Sequence, residues 1–214
     1  MKKKIFTFLL LFFSYIPLSF GENISVFQFT EEEKKILKIR KIKKTTNYTL
    51  GSNEKGNYLK AEAKGQASGL GIEKKINLNT TPIINITWKV EKDLQGIDER
   101  SKKGHDYAAR VFVIKKTGKT ALSNRAINYV FSSNEKIGEF WRSPFTKKSI
   151  DYVLSTTKNN QNEWVTVKAN VKADFKKLHN LDVDEIEGIA IMTDTDNSKK
   201  LAIAYYQNIY FSAK

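Results

Sequence analysis

Alternation of apolar and polar positions runs through most of the chain and predicts strands almost throughout. The clearest case follows Pro82, where Ile84, Ile86, Trp88 and Val90 fall on one face of an extended segment and Asn85, Thr87 and Lys89 on the other. That period of two is the mark of a half-buried strand. Tyr58 to Lys64 alternates in the same way after the turn Asn53-Glu54-Lys55-Gly56, with Leu59, Ala61 and Ala63 inward. Glu22 to Phe29, Leu70 to Ile76, Tyr107 to Ile114 and Ala126 to Phe131 add further strands. Ile150 to Thr156 and Trp164 to Val171 read as an antiparallel pair across the polar loop Lys158 to Asn162.

Helix signals are few. Thr30 followed by Glu33 is a capping box with acidic residues in the first turn, a helix start. The basic stretch Lys34 to Lys44 either continues that helix or gives way to a strand. Asp174 to Leu178 reads as a second short helix. The C-terminal stretch Gly188 to Phe211 reads as a central hairpin. Its first strand is apolar on both faces; its second carries Leu201, Ile203, Tyr205, Ile209 and Phe211 on one face and Ala202, Ala204, Tyr206 and Tyr210 on the other. Roughly ten short strands separated by polar turns predict an all-β fold, an antiparallel β-sandwich of jelly-roll type with one or two short helices. A closed barrel is the alternative.

The N-terminus changes the picture of where the protein works. Lys2-Lys3-Lys4 precede an apolar run from Ile5 to Phe13, then Pro17 and Ser19-Phe20-Gly21 with small residues at the cleavage-determining positions. This predicts a secretory signal peptide over residues 1–21 and a periplasmic or secreted single domain over 22–214. The apolar run is shorter than the roughly 20 residues a bilayer demands, so no transmembrane segment is expected after cleavage. The chain has no cysteine, so export brings no disulfides and stability rests on the core. The formal charge of +14 falls to about +11 without the leader lysines. Such an excess favours anionic partners. The lysines, however, are scattered through predicted turns, where solvated loop lysine explains them, and no nucleic-acid partner is expected.

Several motifs fail on spacing. Gly118-Lys119-Thr120 lacks the glycine five residues earlier that a phosphate-binding loop requires, since that position is Val113. Asp194-Thr195-Asp196-Asn197-Ser198 begins like a calcium loop, but position six is Lys199 and position twelve Tyr205. That excludes the helix-loop-helix site and leaves open either another calcium design or carboxylates that accept turn amides. Ser68 lacks the flanking glycines of a nucleophile elbow. His105 beside Asp106 is either a proton-transfer pair or an exposed loop histidine. With two histidines in the chain, no metal-ligand set and no cofactor are predicted. Arg110 shares a face with Ala108, Phe112 and Ile114 and therefore needs a carboxylate, carbonyls or an anionic ligand. A structural ion pair with Asp106 or Asp194 competes with a ligand site. The candidate ligand-binding residues are accordingly Asp106, Arg110, Asp194, Asp196 and Asn197, with no catalytic residue assigned.

The runs Ala67-Ser68-Gly69-Leu70, Ile86-Thr87-Trp88-Lys89-Val90, Gly104-His105-Asp106-Tyr107-Ala108-Ala109-Arg110-Val111, Ala126-Ile127-Asn128-Tyr129-Val130, Ser143-Pro144-Phe145 and Gly188 through Asn197 resemble the bacterial domain-of-unknown-function family 3047. The resemblance covers nearly all of the chain after the leader, and it implies that Asp106, Arg110 and Asp194-Thr195-Asp196-Asn197 form the family's polar signature. Gln207-Asn208 stands where the family has Gly-Asp, and His105 where Asp is common. No activity comes with the family. Export, a jelly roll and aromatic residues expected on exposed faces, Tyr206, Tyr210, Tyr129 and Trp141, point to binding of carbohydrate or another cell-envelope component. The alternatives are an envelope-polymer hydrolase using an Asp pair and a structural envelope factor.

Overall fold

Two β-sheets packed face to face enclose the core in a computed structural model that describes residues 23–120 and 123–214. The expected leader, residues 1–21, lies outside the described residues. Among the described residues, the strands in chain order are β1 Ile24–Phe27, β2 Lys38–Lys43, β3 Asn47–Asn53, β4 Gly56–Lys64, β5 Ala67–Asn77, β6 Ile83–Lys92, β7 Ala109–Lys115, β8 Arg125–Ser132, β9 Phe140–Arg142, β10 Ser149–Thr156, β11 Val165–Asn170, β12 Glu185–Asp194 and β13 Leu201–Ser212. The helices are α1 Glu31–Ile36, α2 Thr157–Asn160 and α3 Val171–His179. Sheet A runs β11-β6-β13-β4-β3, with β1 also on β13; sheet B runs β2-β5-β12-β7-β8-β10-β9. All pairings are antiparallel except β8 with β10. The expected antiparallel sandwich is the fold observed.

Local chemistry explains several elements. Thr30 caps α1 by accepting from the Glu33 amide at 3.1 Å, and the Glu33 carboxylate accepts from the Gln28 and Phe29 amides at 2.9 and 2.7 Å. Three acidic residues in the first turn suit the positive end of the helix dipole. The helix ends at Leu37 in an extended conformation, and the basic run passes into β2. The inward faces of β4 and β6 are those the alternation predicts, with Leu59, Ala61, Ala63, Ile84, Ile86, Trp88 and Val90 all buried.

Two expected pairings are corrected. Strands β12 and β13 do not form a hairpin: β12 lies between β5 and β7 in sheet B, and β13 between β6 and β4 in sheet A. The intervening loop crosses from one sheet to the other. Each strand is central in its own sheet, which is why both are so apolar. Likewise β10 lies in sheet B and β11 in sheet A, with α2 making the crossover. The faces of β13 also differ from strict alternation. Ala202, Ala204 and Tyr206 point into the core, and so do Ile209 and Phe211. An irregularity between Gln207 and Tyr210, with Asn208 at φ 47°, shifts the phase between those two groups. Tyr205 is thereby placed on the outer face and Tyr206 inside.

Candidate functional site

Asp106, Arg110 and the β12–β13 crossover converge. Arg110 leaves the outer face of β7 and places Nη2 2.6 Å from Asp194 Oδ2 at the end of β12, and 3.3 Å from Met192 Sδ. Asp194 also accepts from the Tyr107 amide at 3.3 Å, while its own amide donates to the Tyr107 carbonyl at 3.1 Å. Asp106 accepts from the Asn197 amide at 3.2 Å, the Asn197 side chain at 2.9 Å and the Ser198 amide at 2.5 Å. Asp106, Asp194 and Arg110 are 0, 1 and 5 % exposed, and Asp196 and Asn197 are half-buried. The carboxylates of Asp106, Asp194 and Asp196 lie within 4.8 Å of one another. The contact between Arg110 and Asp194 is therefore internal, a charge-assisted hydrogen bond while Asp194 holds its proton and an ion pair once it loses it, and Asp106 is occupied in turning the crossover loop.

The electrostatics follow from the crowding. Burial, reinforced by Asp106 and Asp196, pushes the Asp194 carboxyl up from 3.8 to about 8, against the lowering effect of Arg110. Burial works against the Arg110 charge too, but Asp194, Asp151 and Asp106 outweigh it and hold the guanidinium more firmly charged than usual. The folded state therefore keeps a proton on Asp194 that the unfolded chain gives up near pH 4. Across the interval from about pH 4 to about pH 8 the native state binds the extra proton, so stability falls as pH rises. Burial raises Glu99 as well, with the same sign, whereas burial lowers His179, which weakens the fold on the acid side. Asp194→Asn keeps an acceptor for Arg110 and is expected to flatten the decline in urea-unfolding free energy between pH 5 and pH 8. The decline attributable to one such group is at most about 1.4 kcal/mol per pH unit.

His105 does not pair with Asp106 and is not exposed. Its Nε2 lies 2.7 Å from Asp151 Oδ2, and Asn128 Nδ2 donates to the other oxygen of Asp151 at 2.5 Å. Asp151 and Asn128 face each other in the β8–β10 ladder. Neither residue stands out in sequence, because the partner of His105 is 46 positions away. Glu99 is also sealed, accepting from Ser132 Oγ, the Ser133 amide and Asn134 Nδ2 at 2.6, 2.9 and 3.0 Å.

The expected exposed aromatics are only partly so. Tyr206 and Tyr129 are fully buried, with Tyr206 hydrogen-bonded to the Met192 carbonyl and Tyr129 to Asp174. Tyr210 and Trp141 are half-buried. A different set lies on the outer face of sheet A. Tyr58 of β4, Trp164 just before β11 and Tyr205 of β13 have ring centroids 5.5–6.0 Å apart and are inclined to one another by 54–70°. All three are half-buried, as Tyr210 and Trp141 are, but they form one contiguous cluster. Lys89 lies 4.3 Å from the Tyr205 ring centroid and 5.8 Å from that of Trp164, and the Tyr205 hydroxyl donates to Glu91 at 2.6 Å. Tyr58 is seated over Gly51 of the facing strand, where a Cβ would stand 2.5 Å from the ring. At the same β3 edge, a hollow of about 450 Å³ is lined by Thr30, Glu31, Gly51, Ser52 and Asn57 among others.

A family model described as "Protein of unknown function (DUF3047)" matches residues 33–210. No curated protein matches the sequence. Among solved structures, the chain is similar to a family 30 carbohydrate-binding module of a cellulosomal cellulase of Clostridium thermocellum, at 6 % identity and a TM-score of 0.53, covering 90 % of this chain and 98 % of that one. It also aligns with a cellulase derived from the Cel12A cellulase of Rhodothermus marinus, at 8 % identity and a TM-score of 0.48 over 82 % of this chain and 92 % of that one. A xyloglucanase domain of a type three effector from Sinorhizobium fredii, in complex with cellobiose, aligns at 10 % identity and a TM-score of 0.45 over 84 and 95 %.

Proposed function

This chain belongs to the DUF3047 family, and from that premise we propose that it is an exported module that binds a cell-envelope polysaccharide on the outer face of sheet A. The observation that carries this reading is the set of three half-buried rings, Tyr58, Trp164 and Tyr205, contributed by separate segments to one patch. Aromatic side chains offer a large apolar face with a polar tip, which suits the C–H face and hydroxyl rim of a pyranose. Lys89 and Glu91 at the same patch supply a donor and an acceptor for hydroxyls. The likeness to the Clostridium thermocellum carbohydrate-binding module supports the scaffold. The basic leader and apolar run support export to the periplasm or medium.

The cluster of Asp106, Arg110, Asp194, Asp196 and Asn197 serves this module as a brace for the crossover. Asp106 and Asp194 are sealed and already engaged by the crossover amides, Tyr107 and Arg110, whereas the paired acids of a glycosidase flank an open cleft. That favours binding over hydrolysis.

The proposal is tested by affinity electrophoresis of the exported protein through gels containing envelope polysaccharides. Saturable retardation by at least one polymer is expected, and none by any of them sinks the proposal. Gly51→Ala adds a methyl group where the Tyr58 ring rests, so it is expected to fold normally by circular dichroism yet bind about tenfold more weakly, about 1.4 kcal/mol.

A further inference from the structure

Strand β2 is a free edge of sheet B, hydrogen-bonded to β5 on one side only, and every residue in it is exposed. From Lys34 to Lys44 the chain carries Lys34, Lys35, Lys38, Arg40, Lys41, Lys43 and Lys44, all exposed. Among the described residues, only Lys38 of these has a carboxylate partner, Glu73 at 3.4 Å between two solvent-facing side chains. Lys43 instead crowds Lys199, whose ammonium it holds below the usual range. Lysine on an edge strand is a common device against edge-to-edge pairing, so charge alone calls for nothing more.

The isoleucines do not fit that explanation. Ile36, Ile39 and Ile42 are 63, 57 and 61 % exposed, half of the six large apolar side chains that stand in solvent among the described residues. Ile39 pairs in register with Leu70, whose side chain is in the core, yet the overhanging edge leaves Ile39 uncovered. Ile42 is the extra residue at the shift between Lys41 and Lys43. We infer that the β2 edge docks on an anionic lipid surface, with the lysines and Arg40 on the headgroup phosphates and Ile36, Ile39 and Ile42 entering the acyl boundary.

Charge and shape select this occupant. A second copy of the strand would bring another set of unneutralised cations against the first. A single-stranded nucleic acid would satisfy the cations, but its bases bind by stacking on rings, and a duplex gives branched aliphatic groups nothing to enter, whereas this edge presents three of them. Adsorption to a lipid surface combines buried apolar area with attraction to anionic headgroups, the two features found together here. The site is separate from the sheet A patch and does not depend on glycan binding.

The test is cosedimentation of the processed protein, as recovered after export, with phosphatidylcholine vesicles with and without phosphatidylglycerol. Pelleting with the anionic vesicles alone is expected, weakening as salt rises. Ile36→Ser/Ile39→Ser/Ile42→Ser is expected to lower vesicle affinity about tenfold or more, and Lys35→Glu/Arg40→Glu/Lys41→Glu roughly a hundredfold or more, each with an unchanged melting temperature. Trp164→Ala should bind vesicles like the wild type, which separates this result from the glycan result. Equal binding to neutral vesicles, an unaffected isoleucine variant, or preference for duplex DNA or heparin over anionic vesicles of matched charge overturns the inference.

Discussion

At pH 9, where Asp194 is ionised opposite the guanidinium, Arg110→Met lowers the free energy of unfolding by about 3–5 kcal/mol, seen as a lower urea midpoint at an unchanged slope. The size follows from the surroundings. Arg110 is 5 % exposed and faces Asp194 at 2.6 Å, with Asp106 and Asp196 close behind. Removing the guanidinium leaves buried carboxylates facing one another in a poorly solvated site, the costly half of breaking a buried pair. Arg110→Met combined with Asp194→Leu removes both partners and is expected to recover most of the loss, to within about 2 kcal/mol of the wild type. Wild-type stability in the single variant would mean that the carboxylates do not need Arg110, and the brace would lose its basis.

Trp164→Ala has the largest expected effect on binding, about a hundredfold or more in affinity for whichever polysaccharide retards the wild type, because buried aromatic anchors dominate interfaces. The Trp164 ring centroid lies 6.0 Å from those of both tyrosines of the patch and the residue is only half-buried, so truncation removes a ring face without opening the core. Tyr205→Phe keeps the ring and loses only the hydroxyl that donates to Glu91, and a drop of about tenfold or less is expected. Calorimetric titration of the two variants against the same polymer separates stacking from hydrogen bonding.

Much of the architecture was legible because alternation reports which face of a strand is buried. Ile84, Ile86, Trp88 and Val90 are inside as expected, and Thr30 caps a helix through the Glu33 amide as the spacing implies, although the Glu33 carboxylate takes the Gln28 and Phe29 amides instead of that of Thr30. Alternation carries no information on which sheet a strand joins. Gly188 to Phe211 therefore read as one hairpin, although the strands lie in opposite sheets. Nor does it reveal a bulge, and the one at Gln207–Asn208 moved Tyr206 inside and Tyr205 outside. In the polar cluster, Arg110 on an apolar face demanded a partner, and Asp194 was one of two candidates. Asp151 gave no such signal, being a lone acid in a strand whose pairing with His105 exists only in the folded chain. Tyr58, Trp164 and Tyr205 were hidden for the same reason, since three distant segments become neighbours only through strand order in sheet A.

The central claim places carbohydrate on the outer face of sheet A, and indole N–H signals in a nitrogen–proton correlation spectrum test it directly during an oligosaccharide titration. The chain has three tryptophans. Trp88 is fully buried with its N–H bonded to Ser155 at 2.9 Å, and the Trp141 N–H is enclosed on sheet B. Binding at the patch should shift the Trp164 indole saturably and leave those of Trp88 and Trp141 in place. Saturable binding that moves Trp141 or the Arg110 side chain, with Trp164 unmoved, would contradict the account.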